Sequence, residues 1–210
     1  AKEAPQDYEA FYAQRPMPPE ESVGAFLVVS FDGKGVPMIK EEAVKLKATW
    51  GTGEKRQKKK EALVGVSYTV DAKPRSPEVL AELLVDPEAA RARRQRQGEP
   101  DEVPRAQQVR RLASLVRTKQ AVMELIKADV KRRDPQHRQP LVIRLDGALG
   151  LWRLAPPLFK PWKRVTCVLD IMHVVGYLWA AANALFGDQS QAGKHWVQQK
   201  LTAILRGRVG

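Results

Sequence analysis

Cysteine is almost missing from this 210-residue chain: Cys167 stands alone, which excludes a disulfide framework and a multi-cysteine zinc site. Long apolar runs are missing too. None approaches the roughly 18 residues needed to span a bilayer, so no membrane association is expected. The first 24 residues are polar and proline-spotted, unlike a signal peptide, and the expectation is a soluble intracellular protein. Glutamate disappears after Glu124, and Asp188 is the only acid beyond Asp170. Several catalytic signatures are also absent. Gly51-Thr52-Gly53-Glu54-Lys55 fails the spacing of a phosphate-binding P-loop, and neither a GxSxG elbow nor an HExxH helix occurs.

What the chain does carry is apolar residues at 43% and charged residues at 29%, enough for a buried core and too apolar for wholesale disorder. Lys and Arg total 36 against 24 Asp and Glu, a net charge of +12, which favours a polyanion partner over an acidic small substrate. The excess is uneven. Residues 1–50 hold 6 basic and 8 acidic side chains, residues 51–140 hold 21 and 13, and residues 141–210 hold 9 and 3. The chain opens at Ala1 without a methionine and stops in the helical-looking LTAILRGRVG, so a fragment is expected.

Residues 1–22 mix proline with acids and lack a period, reading as an incoming linker. AFLVVSFD at 25–32 predicts a buried strand. Asp32-Gly33-Lys34-Gly35 then predicts a turn, and VPMIK a returning strand. ALVGVSYTVD at 62–71 predicts a third strand, and 86–104 a charged loop with a helical turn. From Arg105 to about Arg133, Val109, Leu112, Val116, Met123, Ile126 and Val130 recur at helical spacing. LVIRLDG at 141–147 predicts a fourth strand, 148–159 a helix, RVTCVLD at 164–170 a fifth strand, and two helices follow. The order β-β-β-α-β-α-β-α is that of an α/β, ribonuclease-H-like mixed sheet flanked by helices. A core over 23–187 is expected, with the start of a helical insertion over 188–210.

In such a sheet the first and fourth strands are neighbours, so Asp32 and Asp146 are expected to meet at one edge. Paired carboxylates are the hard oxygen ligands magnesium prefers, and two metals so held can activate an attacking oxygen and stabilise a leaving 3′ oxygen. Asp-Gly is equally ordinary turn chemistry. Asp170 and His173 form Asp-x-x-His at a strand-to-helix step, where they can cap, hydrogen-bond or bind metal. The basic residues Lys55, Arg56, Lys58, Lys59, Lys60, Arg110, Arg111 and Arg117 suit either a solvated surface or contact with a nucleic-acid backbone. Cys167, mid-strand between Thr166 and Val168, reads as a core residue.

Val28-Val29-Ser30-Phe31-Asp32-Gly33-Lys34-Gly35-Val36-Pro37-Met38 resembles the first catalytic-acid block of bacterial insertion-sequence transposases of the Mutator-like superfamily, closest to the ISKra-type branch. Residues 60–70 resemble the strand that follows, Asp146-Gly147-Ala148-Leu149-Gly150-Leu151-Trp152 the second-acid block, and Asp170-Ile171-Met172-His173 the signature between the second and third acids. The resemblance implies an Asp-Asp-Glu enzyme that cleaves and rejoins DNA with Mg2+, or Mn2+ in its place. It makes Asp32 and Asp146 metal-binding acids, and Asp170 and His173 a signature pair. It also implies transposon ends and target DNA as partners, homo-oligomeric assembly, and a cytoplasmic, nucleoid-associated bacterial setting. The departure is the third acid: no Glu follows the signature, so weak metal binding and little or no cleavage are expected. Two alternatives stand beside this reading. One is a non-catalytic nucleic-acid-binding remnant, the other a nuclease of the same fold using Asp32, Asp146 and Asp170.

Overall fold

The computed structural model describes residues 14, 16, 24–43, 59–98 and 104–209. The expected linker at 1–22, apart from Gln14 and Pro16, lies outside the described residues, as do the segment 51–55 and Lys55, Arg56 and Lys58. Twelve elements run in order among the described residues. They are β1 (Phe26–Pro37), α1 (Lys40–Ala43), β2 (Lys59–Val70), α2 (Pro77–Val85), α3 (Pro87–Arg96), β3 (Gln107–Ser114), α4 (Lys119–Arg133), β4 (Leu141–Leu145), α5 (Leu149–Leu158), β5 (Val165–Leu169), α6 (Ile171–Phe186) and α7 (Gln191–Leu205). The described residues fall into two compact units, one within Ala1–Asp71 and Ala106–Val168, the other within Ala72–Arg105 and Leu169–Gly210. This division differs from the sequence-based boundaries at 22/23 and 187/188. Among the described residues, no helix is long and apolar enough to cross a membrane.

The first unit is a five-stranded mixed sheet in the order β3-β2-β1-β4-β5. β1 pairs antiparallel with β2 and parallel with β4, and β2 pairs antiparallel with β3. Strand alternation sends Leu27, Val29 and Phe31 of β1 and Leu141, Ile143 and Leu145 of β4 to one face. There they join Val122, Met123, Ile126 and Val130 of α4 and Leu151 and Ala155 of α5 in one buried core. Thr118 starts α4, its hydroxyl accepting from the Ala121 N–H at 3.2 Å. Cys167 packs partly buried against this core, and burial pushes its thiol pKa up, which suits a packing residue and not a nucleophile.

Two sequence expectations are corrected here. Asp32-Gly33-Lys34-Gly35 is no hairpin turn: β1 continues through it to Pro37, pairing with β2 as far as Lys59. A Cβ at Gly33 would come within 2.4 Å of the Glu61 carboxylate, the far end of a flexible side chain that can shift. The second correction is the single helix expected from Arg105 to Arg133, which is a strand followed by a helix. Val109 and Leu112 lie in β3, while Val116 lies between the elements and is 89% exposed. An irregularity in the β2–β3 pairing, with Gln108 at φ 52°, disturbs the alternation that would have marked the strand.

One polar cluster is buried beneath the sheet. Asp129 of α4 accepts from Ser67 Oγ at 2.6 Å, pairs with Arg110 of β3, and lies 2.9 Å from Arg133 Nε. Arg133 also donates to the Gln108 carbonyl at 2.7 Å, and burial lowers the pKa of its guanidinium.

The second unit is helical. Ser76 and Asp86 cap α2 and α3 at Ser-Pro and Asp-Pro steps, each side chain accepting the N–H three residues on, with proline in the first turn where no N–H is needed. The sequence reading took 86–104 as a loop with a helical turn; Pro87–Arg96 is instead ten residues of helix. Ala81, Val175 and Leu201 form the buried centre of this unit, with Leu84, Leu178 and Trp179 around them. Lys194 of α7 pairs with Asp86, and Arg206 with Glu78, tying α7 to the first two helices of the unit.

Candidate metal centre

The β1–β4 register ends at the pair Phe31↔Leu145; Asp32 is the next residue of β1, and Asp146 the residue just after β4. Because the strands are parallel, both acids lie where the β1–β4 pairing ends, while β1 continues along β2 to Pro37. Both follow a core-facing residue, so alternation turns them to the face opposite the core. A carboxylate oxygen of each lies within 4.8 Å of one from the other, and both side chains are half-buried.

Each acid is held locally. Asp146 Oδ1 accepts from the Ala148 N–H at 2.9 Å, an Asx turn that leads into α5. The Asp146 carbonyl accepts from the Trp152 indole N–H at 2.6 Å, and Trp152 packs against the core, so the turn is fixed from below. That leaves Asp146 Oδ2 outside the turn's own hydrogen bonding. On β1, Asp32 Oδ2 lies 2.8 Å from Lys34 Nζ. One step back on the same face, Arg144 Nε donates to Ser30 Oγ at 3.1 Å across β1 and β4.

Asp170 and His173 belong to the second unit, at the start of α6. Asp170 is the N-cap, its Oδ1 accepting from the Met172 N–H at 3.1 Å, and His173 Nδ1 lies 3.6 Å from Asp170 Oδ2. The Asp-x-x-His spacing thus gives a capped first turn with both side chains in reach of each other.

The basic residues divide by strand alternation. Lys60 is registered with Val36 and Arg111 with Val66, on the same face as Asp32. Lys59 and Arg110 point to the other face, and Arg110, with 7% of its side chain exposed, is paired with Asp129. Arg110 is therefore corrected from a candidate DNA contact to a buried structural cation. Arg117 is exposed in the turn between β3 and α4, where its backbone N–H donates to Ser114 Oγ at 2.9 Å.

Three residues around the acids were missed in the sequence: Lys34 and Arg144 on the same face, and Trp152 on the core side. The first two stand two positions from an acid, and period-2 alternation was the available signal. Trp152, six positions after Asp146, carried no signal that singles out its role as donor.

Comparison of the chain with protein-family models, with curated proteins and with solved structures finds no match.

Proposed function

We propose that this chain is the core of a DNA transposase of ribonuclease-H-like fold, built for metal-dependent phosphoryl transfer on DNA. One observation carries the reading: Asp32, within β1, and Asp146, just after β4, stand side by side where the parallel pairing of the two strands ends, in a sheet ordered β3-β2-β1-β4-β5. The donor set fits magnesium, since two hard carboxylates within 4.8 Å of each other are the ligands that ion takes alongside waters and phosphate oxygens. Asp32 and Asp146 would hold the ion, which would supply charge stabilisation for the oxygens of the phosphodiester. The protein's own part is orientation. Trp152 and the Ala148 N–H fix Asp146, while Lys60 and Arg111, on the same face, supply cations for a phosphate backbone.

A second reading is favoured by the net charge of +12: a nucleic-acid-binding module that keeps the sheet and the charge without the chemistry. Duplex-DNA binding by wild type, Asp32→Asn and Asp146→Asn, with Mg2+ and with EDTA, separates the two. The transposase reading predicts tighter binding with Mg2+ in wild type and loss of that gain in both variants. Salt-sensitive binding that ignores Mg2+ and both substitutions overturns it and supports the module.

A further inference from the structure

We infer that Lys34 is the resident counter-cation of the acid pair, which a divalent ion must displace, and that its ammonium then serves as a phosphate-positioning group at the same site. This deepens the proposed function and rests on it. The geometry is direct: Lys34 Nζ lies 2.8 Å from Asp32 Oδ2, one of the oxygens a metal would need. The pairing follows from the backbone. β1 runs straight through Asp32-Gly33-Lys34, so alternation puts both side chains on one face, and the register with β2 extends to Pro37↔Lys59. The glycines on either side leave the opposite face to Glu61 and Lys59, which a Cβ at Gly33 or Gly35 would approach to 2.4 and 3.3 Å. Glu61, in turn, pairs with Lys119 at 2.8 Å. Lys34 is 63% exposed, so its long side chain has room to swing when a dication takes its place at Asp32.

The charge pattern around it indicates where the ammonium would go. Lys60, at the Val36 register position, lies on the same face of the ribbon formed by β1 and β2. A phosphate chain approaching the acids along that ribbon meets Lys60 and then Lys34 before it reaches Asp32. Lysine suits this double duty because it is a compact point charge on a flexible stem, whereas arginine's planar fork favours a fixed bidentate partner. Removing one unit charge from beside a dication in a water-exposed site raises metal affinity by roughly threefold to tenfold on Coulombic grounds.

The test is Mn2+ binding, followed by electron paramagnetic resonance, together with binding of a duplex oligonucleotide in the presence of Mn2+. The proteins are the full chain and its Lys34→Met, Lys34→Arg, Asp32→Asn and Asp146→Asn variants, each checked for folding by circular dichroism. The expected result is Mn2+ bound about threefold to tenfold more tightly by Lys34→Met, with weaker DNA binding. Lys34→Arg retains DNA binding near wild type, and both Asp variants lose Mn2+. If the Asp variants lose Mn2+ while Lys34→Met matches wild type in both assays, the role of Lys34 is overturned and the metal reading stands. If wild type and both Asp variants bind Mn2+ equally, or wild type binds none, the metal reading itself fails and the inference falls with it.

Discussion

Asp129 offers the sharpest test of how the sheet unit is held together. It is buried, and its carboxylate meets Arg110 and Arg133, whose side chains are buried with it; Arg132, at 3.3 Å, reaches it from the surface. Asp129→Ala removes the buried carboxylate that Arg110 and Arg133 share and leaves the Ser67 hydroxyl without its 2.6 Å acceptor. Breaking a buried pair by removing one partner costs about 3–5 kcal/mol. An orphaned hydroxyl carries its own penalty of about 1–3 kcal/mol, but the groups share one acceptor and the costs do not add. A loss of about 3–5 kcal/mol is therefore expected, a large share of the roughly 5–15 kcal/mol that stabilises a domain. Urea denaturation followed by circular dichroism measures it. Arg132→Ala is the control, expected to cost no more than about 1 kcal/mol because an exposed ion pair contributes little. A loss under about 1 kcal/mol for Asp129→Ala would refute the reasoning, because breaking a buried pair would then cost no more than breaking an exposed one.

Other expectations follow from single contacts. In Gly65→Ala the new methyl would lie 2.7 Å from Ile126 Cγ1, overpacking the core, with a cost of about 1–3 kcal/mol readable in the same urea assay. Trp152→Phe keeps the ring but removes the donor to the Asp146 carbonyl, so Mn2+ affinity is expected to fall severalfold while the sheet still folds; unchanged affinity would mean the turn positions Asp146 unaided. Asp86 has its pKa held below the ordinary aspartate value by Lys194 first and the Ala89 N–H second. A depressed folded-state pKa contributes stability that is fully present above the unfolded value and is lost as pH falls through the folded one. Carboxyl NMR titration should show Asp86 titrating low, and Lys194→Met should move it back up.

The parts of this fold legible in the sequence were those with an undisturbed period. FLVVSF and LVIRL read as strands because one side of each is wholly apolar, and α5, β5 and α6 followed from apolar patterning bounded by Asp146, Pro161 and Asp170. β3 was illegible because an inward-pointing arginine interrupts its buried face, and Val109, Leu112 and Val116 stand at three and four by coincidence. The buried carboxylate of Asp129, distant in sequence, pairs with Arg110 in the interior. α3 was hidden by its composition, ten residues with four arginines, and Asp86-Pro87 at its start looks as much like a loop as a cap. At the site, the neighbouring placement of Asp32 and Asp146 was read from strand order alone. The ion pair with Lys34 was not, because Asp-Gly-Lys-Gly suggested a turn and a turn breaks the alternation that places both side chains on one face.

The central claim is that Asp32 and Asp146 form one cation site. Paramagnetic line broadening tests it most directly: substoichiometric Mn2+ is added to the isotope-labelled chain and the loss of amide signals is followed. The account predicts that the amides around Asp32 and Asp146, from Phe31 to Lys34 and from Leu145 to Ala148, broaden first and together, and that Asp146→Asn abolishes the effect at both. Broadening centred elsewhere, or on one strand without the other, would contradict it.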